Sequence, residues 1–304
     1  MLINKENIKA FFVNVRTTFH KALKEAKPQW EKIATKVPSK TGIENYAWIK
    51  DMWPNLREWI GPKKVKGLEA AKYVIENKPY EATIGVKRDD LEDDQTGKYA
   101  AMARAHGEAA AAWPDQLVFG ALNEAFEKEC FDGQPFIDAD HPLEGGKVFS
   151  NKGTKKLKCG SFAEAQASYG AARTQMQNLK NDAGRPLELN PNLLVVPPAL
   201  EDTAKMLLTA EKFADNSTNI YKGTAEVFVC RALTSTTAWF LMDTTQPIKP
   251  FIFQERKAPT PVNQETEASD DVFNNGVYKF SIEARGAAGF SLPQLIYGST
   301  GAQN

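Results

Sequence analysis

Residues 97–128 read GKYAAMARAHGEAAAAWPDQLVFGALNEAFEK, and their periodicity constrains everything around them. Ala100, Ala101, Ala103, Ala105 and Ala109 to Ala112 are strong helix formers. Tyr99, Met102, His106, Ala110, Trp113, Leu117, Ala121 and Phe126 approximate one apolar stripe. The pattern predicts a single helix from Gly97 to about Lys128, kinked at Pro114 because proline lacks the backbone donor and crowds the preceding turn. At about 1.5 Å per residue that helix spans about 45 Å, long for a globular enzyme and suited to a spine.

On the N-terminal side, Ile8, Phe11, Phe12, Val15, Phe19, Ala22 and Leu23 predict an amphipathic helix over residues 4–26, with Asn4 as N-cap and Pro28 as stop. Three aromatic rings on one face require a cover, either the chain's own core or a neighbour. Residues 28–68 are punctuated by Pro28, Pro38, Pro54 and Pro62 and hold Trp30, Trp48, Trp53 and Trp59. Such a segment is poorly placed to build a private core, and tryptophan is enriched at interface centres, so a segment reaching onto another subunit is expected. PYEATIGVK at 79–87 reads as a strand, followed by the acidic DDLEDD at 89–94.

On the C-terminal side, Ser161 and Glu164 form a capping box for a helix to about Leu179. Leu193 to Val196 is a short buried strand, and Pro197 and Pro198 introduce a helix with Leu200, Ala204, Leu207 and Leu208 on one face. Strands are expected near 225–233, 238–242 and 248–255. In 277–285 the alternation puts Tyr278, Phe280, Ile282 and Ala284 on one face, Lys279, Ser281, Glu283 and Arg285 on the other. The fold class is α+β.

The chain has no apolar run long enough for a membrane span. Its N-terminus lacks the order of a secretory signal, so a cytoplasmic origin is expected. Cys130, Cys159 and Cys230 are odd in number and scattered, which argues against a disulfide framework or a metal knuckle. Net charge is zero, but residues 1–66 carry 14 Lys and Arg against 6 Asp and Glu, a net +8. With 38 of each sign overall, residues 67–304 carry −8. A basic segment joined to an acidic body can fold back on it or lie on another copy.

No nucleophile elbow, phosphate-binding loop, dinucleotide fingerprint or HExxH is present, and only His20, His106 and His141 occur. One stretch competes for a catalytic reading: FDGQPFIDADHP at 131–142 gathers Asp132, Asp138, Asp140 and His141, the chemistry of a metal-dependent hydrolase. The same residues are good turn formers, with Phe131, Phe136 and Ile137 as anchors. A structural loop is the expectation, so neither metal nor cofactor is expected.

Taken in order, CFDGQPFIDADHP, NPNLLVVPPALEDTAKMLLTAE, WFLMDTTQPIKPFIFQERKAP and GVYKFSIEARGAAGF resemble the Mu-like major head subunit family of tailed phages and prophages. The resemblance implies a Hong Kong 97-type capsid fold and a non-enzymatic major capsid protein. Its parts would be an N-terminal arm at 1–40, an extended loop at 41–86, a peripheral domain at 87–185 with the spine helix, an axial domain at 186–237, return strands of the peripheral domain at 238–285 and a C-terminal segment at 286–304, assigned to the axial domain. It implies intersubunit contacts at Phe11, Phe12, Trp48, Trp53, Trp59, Lys63 and Lys64. The implied partners are further copies in pentameric and hexameric capsomers, a separate scaffold and protease chain, a portal, decoration proteins and packaged double-stranded DNA on the inner face, with no membrane. The virion is the implied location, with assembly in the host cytoplasm. The rival readings are the hydrolase and a minor virion or decoration protein.

Overall fold

The computed structural model describes residues 4–46, 73–93, 96–143, 146–181, 184–266 and 269–303. Helix α1 (Lys5–Glu25) begins where the Asn4 side chain accepts from the Asn7 amide at 2.8 Å. Strand β1 (Ala34–Pro38) follows, then β2 (Ile43–Asn45), β3 (Val74–Glu76), β4 (Lys78–Lys87), the short helix α2 (Arg88–Glu92) and the long helix α3 (Gly97–Asn123). A looped region holds β5 (His141–Pro142), β6 (Val148–Phe149) and β7 (Lys152–Lys155). Ser161 caps α4 (Phe162–Ala165), which passes through a wide π turn into α5 (Ala171–Gln177). The remainder is β8 (Leu193–Val196), α6 (Glu201–Thr209), β9 (Glu226–Val229), β10 (Trp239–Met242), β11 (Phe251–Gln264), α7 (Asp270–Asn275), β12 (Val277–Phe290) and β13 (Ile296–Gln303).

The first sheet has the order β1-β11-β12-β4. The alternation of 277–285 is realised: Tyr278, Phe280, Ile282 and Ala284 are buried beneath the helices, and their neighbours face outward. Helix α1 lies beside α3 and runs in the same direction, because contacts advance together along both. Phe11 meets the Tyr99 ring, Ala22 sits beside Gly107, and the Trp30 amide donates to Asp115 at 2.7 Å. The α1 rings also reach the sheet, Phe12 on Tyr278 and Phe19 on Phe280.

The second sheet has the order β7-β13-β10-β8-β9 and is buried on both faces around its centre. Leu193, Val195, Phe240 and Met242 pack toward α3 and the first sheet, while Leu194, Val196, Trp239 and Leu241 pack toward α5 and α6. This explains why Leu193 to Val196 is continuously apolar: a strand covered on both faces has no solvent side to make polar. Among the described residues no helix is long and apolar enough to cross a membrane.

Several expectations change. Helix α3 ends at Asn123, short of Lys128, because the Asn123 side chain accepts from the Thr234 amide and donates to the Ala232 carbonyl while the chain turns away. Its buried face in the first half is Ala103, Gly107 and Ala111, whereas Met102 is exposed; small residues are what admit α1 at close range. Within the arm expected at 1–40, α1 packs on α3 and the first sheet, and β1 pairs with β11. Strand β10, assigned with the return strands at 238–285, belongs to the second sheet beside β8, as does β7, assigned within 87–185. Strands β11 and β12 run on to Gln264 and Phe290 because they pair with each other from Phe251↔Phe290 to Gln264↔Lys279.

Two glycines of α3 test the seating of α1. A Cβ on Gly107 would lie 2.6 Å from the Phe19 carbonyl oxygen and 2.8 Å from the Ala22 methyl, whereas one on Gly120 would meet nothing within 4 Å. Gly120→Ala is therefore expected to stabilise by about 0.5–1 kcal/mol through helix propensity. Gly107→Val is expected to destabilise by about 2 kcal/mol through overpacking. Urea unfolding midpoints of the two variants measure the contrast.

Candidate functional site

The polar loop after α3 does not assemble the four groups of the hydrolase reading. Asp132 and His141 meet, with His141 Nδ1 2.7 Å from Asp132 Oδ2. Asp138 instead faces Lys152 at 3.2 Å, and Asp140 is exposed. The third member of the buried group is Cys130, whose thiol donates to Asp132 Oδ1 at 3.0 Å, and the potential ligand atoms of these three lie within 4.8 Å of one another. Burial, and then the Asp132 charge, push the Cys130 thiol far up, so it stays a donor. Burial works against ionisation of Asp132 as well, but hydrogen bonds from His141, Cys130 and the Gln134 amide outweigh it and hold the carboxyl below its ordinary value.

The centre of this network is Asn151, a residue with no sequence signal beyond an ordinary turn. Its Nδ2 donates to the carbonyls of Phe136 at 2.9 Å and Pro293 at 2.8 Å, which fixes the amide orientation. Its Oδ1 then accepts from the Asp138 amide at 2.8 Å and faces His141 Nε2 at 3.2 Å. The ring of His141 is fully buried and stacks on Phe149 at 4.8 Å. Both imidazole nitrogens are thus engaged, and the backbone amide of Gly298 on β13 bonds to the Asn151 carbonyl. The cluster clasps the loop to the second sheet, its buried side-chain atoms answered by one another and by nearby backbone groups.

The other candidate region is the approach to residues 47–72. Trp48, Trp53, Trp59, Lys63 and Lys64 lie outside the described residues, and the two chain ends leading to them are bonded to each other and to β11. The Tyr46 amide donates to the Tyr73 carbonyl at 2.9 Å, and β2 pairs with β3. Tyr46 Oη donates to Gln254 Oε1 at 2.7 Å, while Gln254 Nε2 donates to the Ile75 carbonyl at 3.2 Å. Burial pushes the Tyr46 hydroxyl up to about 12, which keeps it a donor. Asn77 bonds to Ser39 Oγ and the Thr41 carbonyl, and Glu44 is pulled down to about 2 by hydrogen bonds from Ser39, Lys40 and Thr41. A buried amide is costly unless partnered; Gln254 uses both its amide atoms to tie the two ends to β11, and Asn77 uses its Nδ2 to hold the Ser39–Thr41 turn.

Phe11 and Phe12, expected at an intersubunit contact, pack within the chain in this structure. Their side chains are buried against Tyr99 and Tyr278 of the same chain, because helix α1 has its own hydrophobic seat. The basic N-terminal region is likewise partly neutralised within the chain, by Lys32 with Glu226 at 2.8 Å and Lys36 with Glu255 at 2.7 Å.

A long helix shared by two sheets, a helix seated on the first sheet, and the β2–β3 pair tied to β11 define a Hong Kong 97-type phage capsid subunit. The chain belongs to the Mu-like prophage major head subunit gpT family, matched over residues 8–162, 160–233 and 231–304, and is a major capsid protein. It is 30% identical to the Mu-like prophage FluMu major head subunit of Haemophilus influenzae, covering 98% of this chain and 75% of that one. It is also 30% identical to the major capsid protein of Escherichia phage Mu, covering 72% of this chain and 95% of the relative. Among solved structures, the procapsid of bacteriophage JBD30 superposes with a TM-score of 0.62 at 27% identity, over 98% of this chain and 76% of the other.

Asn151→Ala removes four partners from buried groups at once and is expected to cost about 3 kcal/mol in urea unfolding, with no bound ion required to explain the loss. Asp132 has a lowered folded pKa, so its contribution is fully present above its ordinary value near about 4 and is lost as pH falls through the lowered one. Asp132→Asn is accordingly expected to be less stable than the parent at pH about 7 and to lose less further stability on acidification.

Proposed function

We propose that this chain is a non-enzymatic shell subunit that assembles into pentamers and hexamers of an icosahedral head enclosing double-stranded DNA. The observation that carries the reading is the likeness to the JBD30 procapsid chain over 98% of this chain. A shell multiplies modest contacts between identical copies, so pairwise interfaces can stay weak enough for misplaced subunits to leave. Scaffold and protease are separate chains in this reading, the portal and decoration proteins are further partners, assembly takes place in the host cytoplasm and the mature location is the virion. The test is electron microscopy of the protein expressed with its phage neighbours: closed shells of uniform diameter are expected, and persistent monomers without shells, rings or tubes under any condition contradict it.

Within that reading, residues 47–72 supply the contacts between subunits. The two ends of the segment are held at Tyr46, Tyr73 and Gln254 of β11, and Trp48, Trp53 and Trp59, with Lys63 and Lys64, are the anchors expected to dock on a neighbour. A tryptophan at the centre of an interface contributes about 2 kcal/mol or more on truncation. Trp53→Ala and Trp59→Ala are therefore expected to reduce shell yield sharply while leaving the melting temperature of the unassembled subunit unchanged. A lowered subunit melting temperature with normal shells would overturn the assignment.

A further inference from the structure

One flank of α1 is strongly basic and has no internal purpose. Lys5, Lys9, Arg16, His20 and Lys24 are all exposed, and at about 100° per residue they fall within an arc of about 100° on the helix circumference. They run about 28 Å along the axis. The helix has two acidic residues: Glu6 in the first turn, where the dipole favours an anion, and Glu25 on the other flank, 4.0 Å from Lys21. Elsewhere lysines are neutralised in place, as in Lys98 with Asp90 at 2.8 Å, Lys128 with Glu124 at 2.6 Å and Lys205 with Glu201 at 2.5 Å. Among the described residues, Lys5, Lys9, Arg16 and Lys24 take part in no ion pair.

We propose that this flank of α1 binds the phosphate backbone of duplex nucleic acid. The inference rests on the shell reading and identifies the residues that meet the enclosed DNA. Three properties favour that partner. The cations follow one another at helical spacing along a straight line, which suits a repeating polyanion better than a single acidic group. The phenylalanine rings of α1 are buried inward, so the flank is a row of cations without a stacking platform of large rings, which suits phosphates of a duplex more than unpaired bases. Helix α1 is held rigidly by Phe12, Phe19 and the close approach at Gly107, so little ordering accompanies binding. The competing occupant is an acidic surface of a second copy, for which Asp89, Glu92 and Asp270, all exposed or nearly so at the far end of the first sheet, are candidates.

The experiment uses the purified full chain, a Lys9→Gln/Arg16→Gln/Lys24→Gln variant and a Lys128→Gln/Lys205→Gln/Lys257→Gln variant that removes equal charge elsewhere. Fluorescence anisotropy with a labelled duplex of mixed sequence is read across about 50 to 200 mM salt, with circular dichroism and unfolding midpoints as the folding control. The α1 variant is expected to bind at least about tenfold more weakly at the lowest salt, with a log–log salt slope shallower by about 2 to 3, since each phosphate contact contributes about 0.9. The comparison variant is expected within about twofold of the parent. Equal losses in both variants, or a parent with no salt-dependent binding, overturn the inference. Micrographs of the parent and the α1 variant, each expressed with the phage neighbours, separate the two readings. Parent shells with no selective DNA defect refute this inference alone, and a parent that never forms shells refutes the shell reading. Loss of shells in the α1 variant with unchanged duplex binding assigns the flank to a neighbouring copy and refutes the DNA assignment.

Discussion

The architecture depends on the close approach of two parallel helices over one sheet. At Gly107 the backbone of α3 comes so near Phe19 and Ala22 that no side chain fits between them. That contact places the aromatic face of α1 on Tyr278 and Phe280 and orients α1 along the spine. From there the chain reaches Trp30, whose amide is capped by Asp115 of α3, and then β1, which joins the edge of the first sheet beside β11. Everything that leads to residues 47–72 is thereby referenced to the spine helix. Burial of Ile8, Phe11, Phe12, Val15 and Phe19, at about 1.5–3 kcal/mol each, far exceeds what the exposed ion pairs of the region can supply.

The same geometry separates two kinds of basic residue. Lys32 and Lys36 meet carboxylates of the body and help register the N-terminal region on it. The α1 flank has no such counterpart among the described residues. A charge imbalance that looks uniform when counted along the chain is therefore resolved in space into a satisfied part and an open part. The polar loop at 131–142 makes a similar point about carboxylates. Asp132 and His141 look catalytic in isolation, yet with Cys130 and Asn151 they close on one another and hold the loop against β13.

Legibility followed periodicity. The existence of α1 and α3 and the faces of 277–285 rest on patterns of period 3.6 or 2, the strand Leu193 to Val196 on a short continuous apolar run and the Ser161 cap on its spacing to Glu164, and all were readable. Strand β13 was not: IYGSTGAQ carries glycine, serine and threonine because it lies between β7 and β10 with Gly298 against Ile137, where a larger residue would not fit. The far half of β11 was hidden by Pro259 and Pro261, which the sheet accommodates with register shifts between Glu255 and Thr260. In α3 large residues drew the stripe toward Met102 and His106, whereas the tight helix contact selected Ala103, Gly107 and Ala111. Asn151, Gln254 and Asn77 were invisible because a buried amide is defined by partners distant in sequence, and no local pattern announces them.

The N-terminal helix packs on its own subunit, and residues 47–72 are proposed to reach a neighbour from the base at Tyr46 and Tyr73. A side-chain-resolution reconstruction of an assembled head tests both at once. The account predicts Phe19 and Ala22 against Gly107 of the same subunit, with Tyr46 and Gln254 still bonded at the base and Trp53 and Trp59 seated on a neighbour. Helix α1 packed against the α3 of another subunit, or the tryptophans folded under their own body, would contradict it.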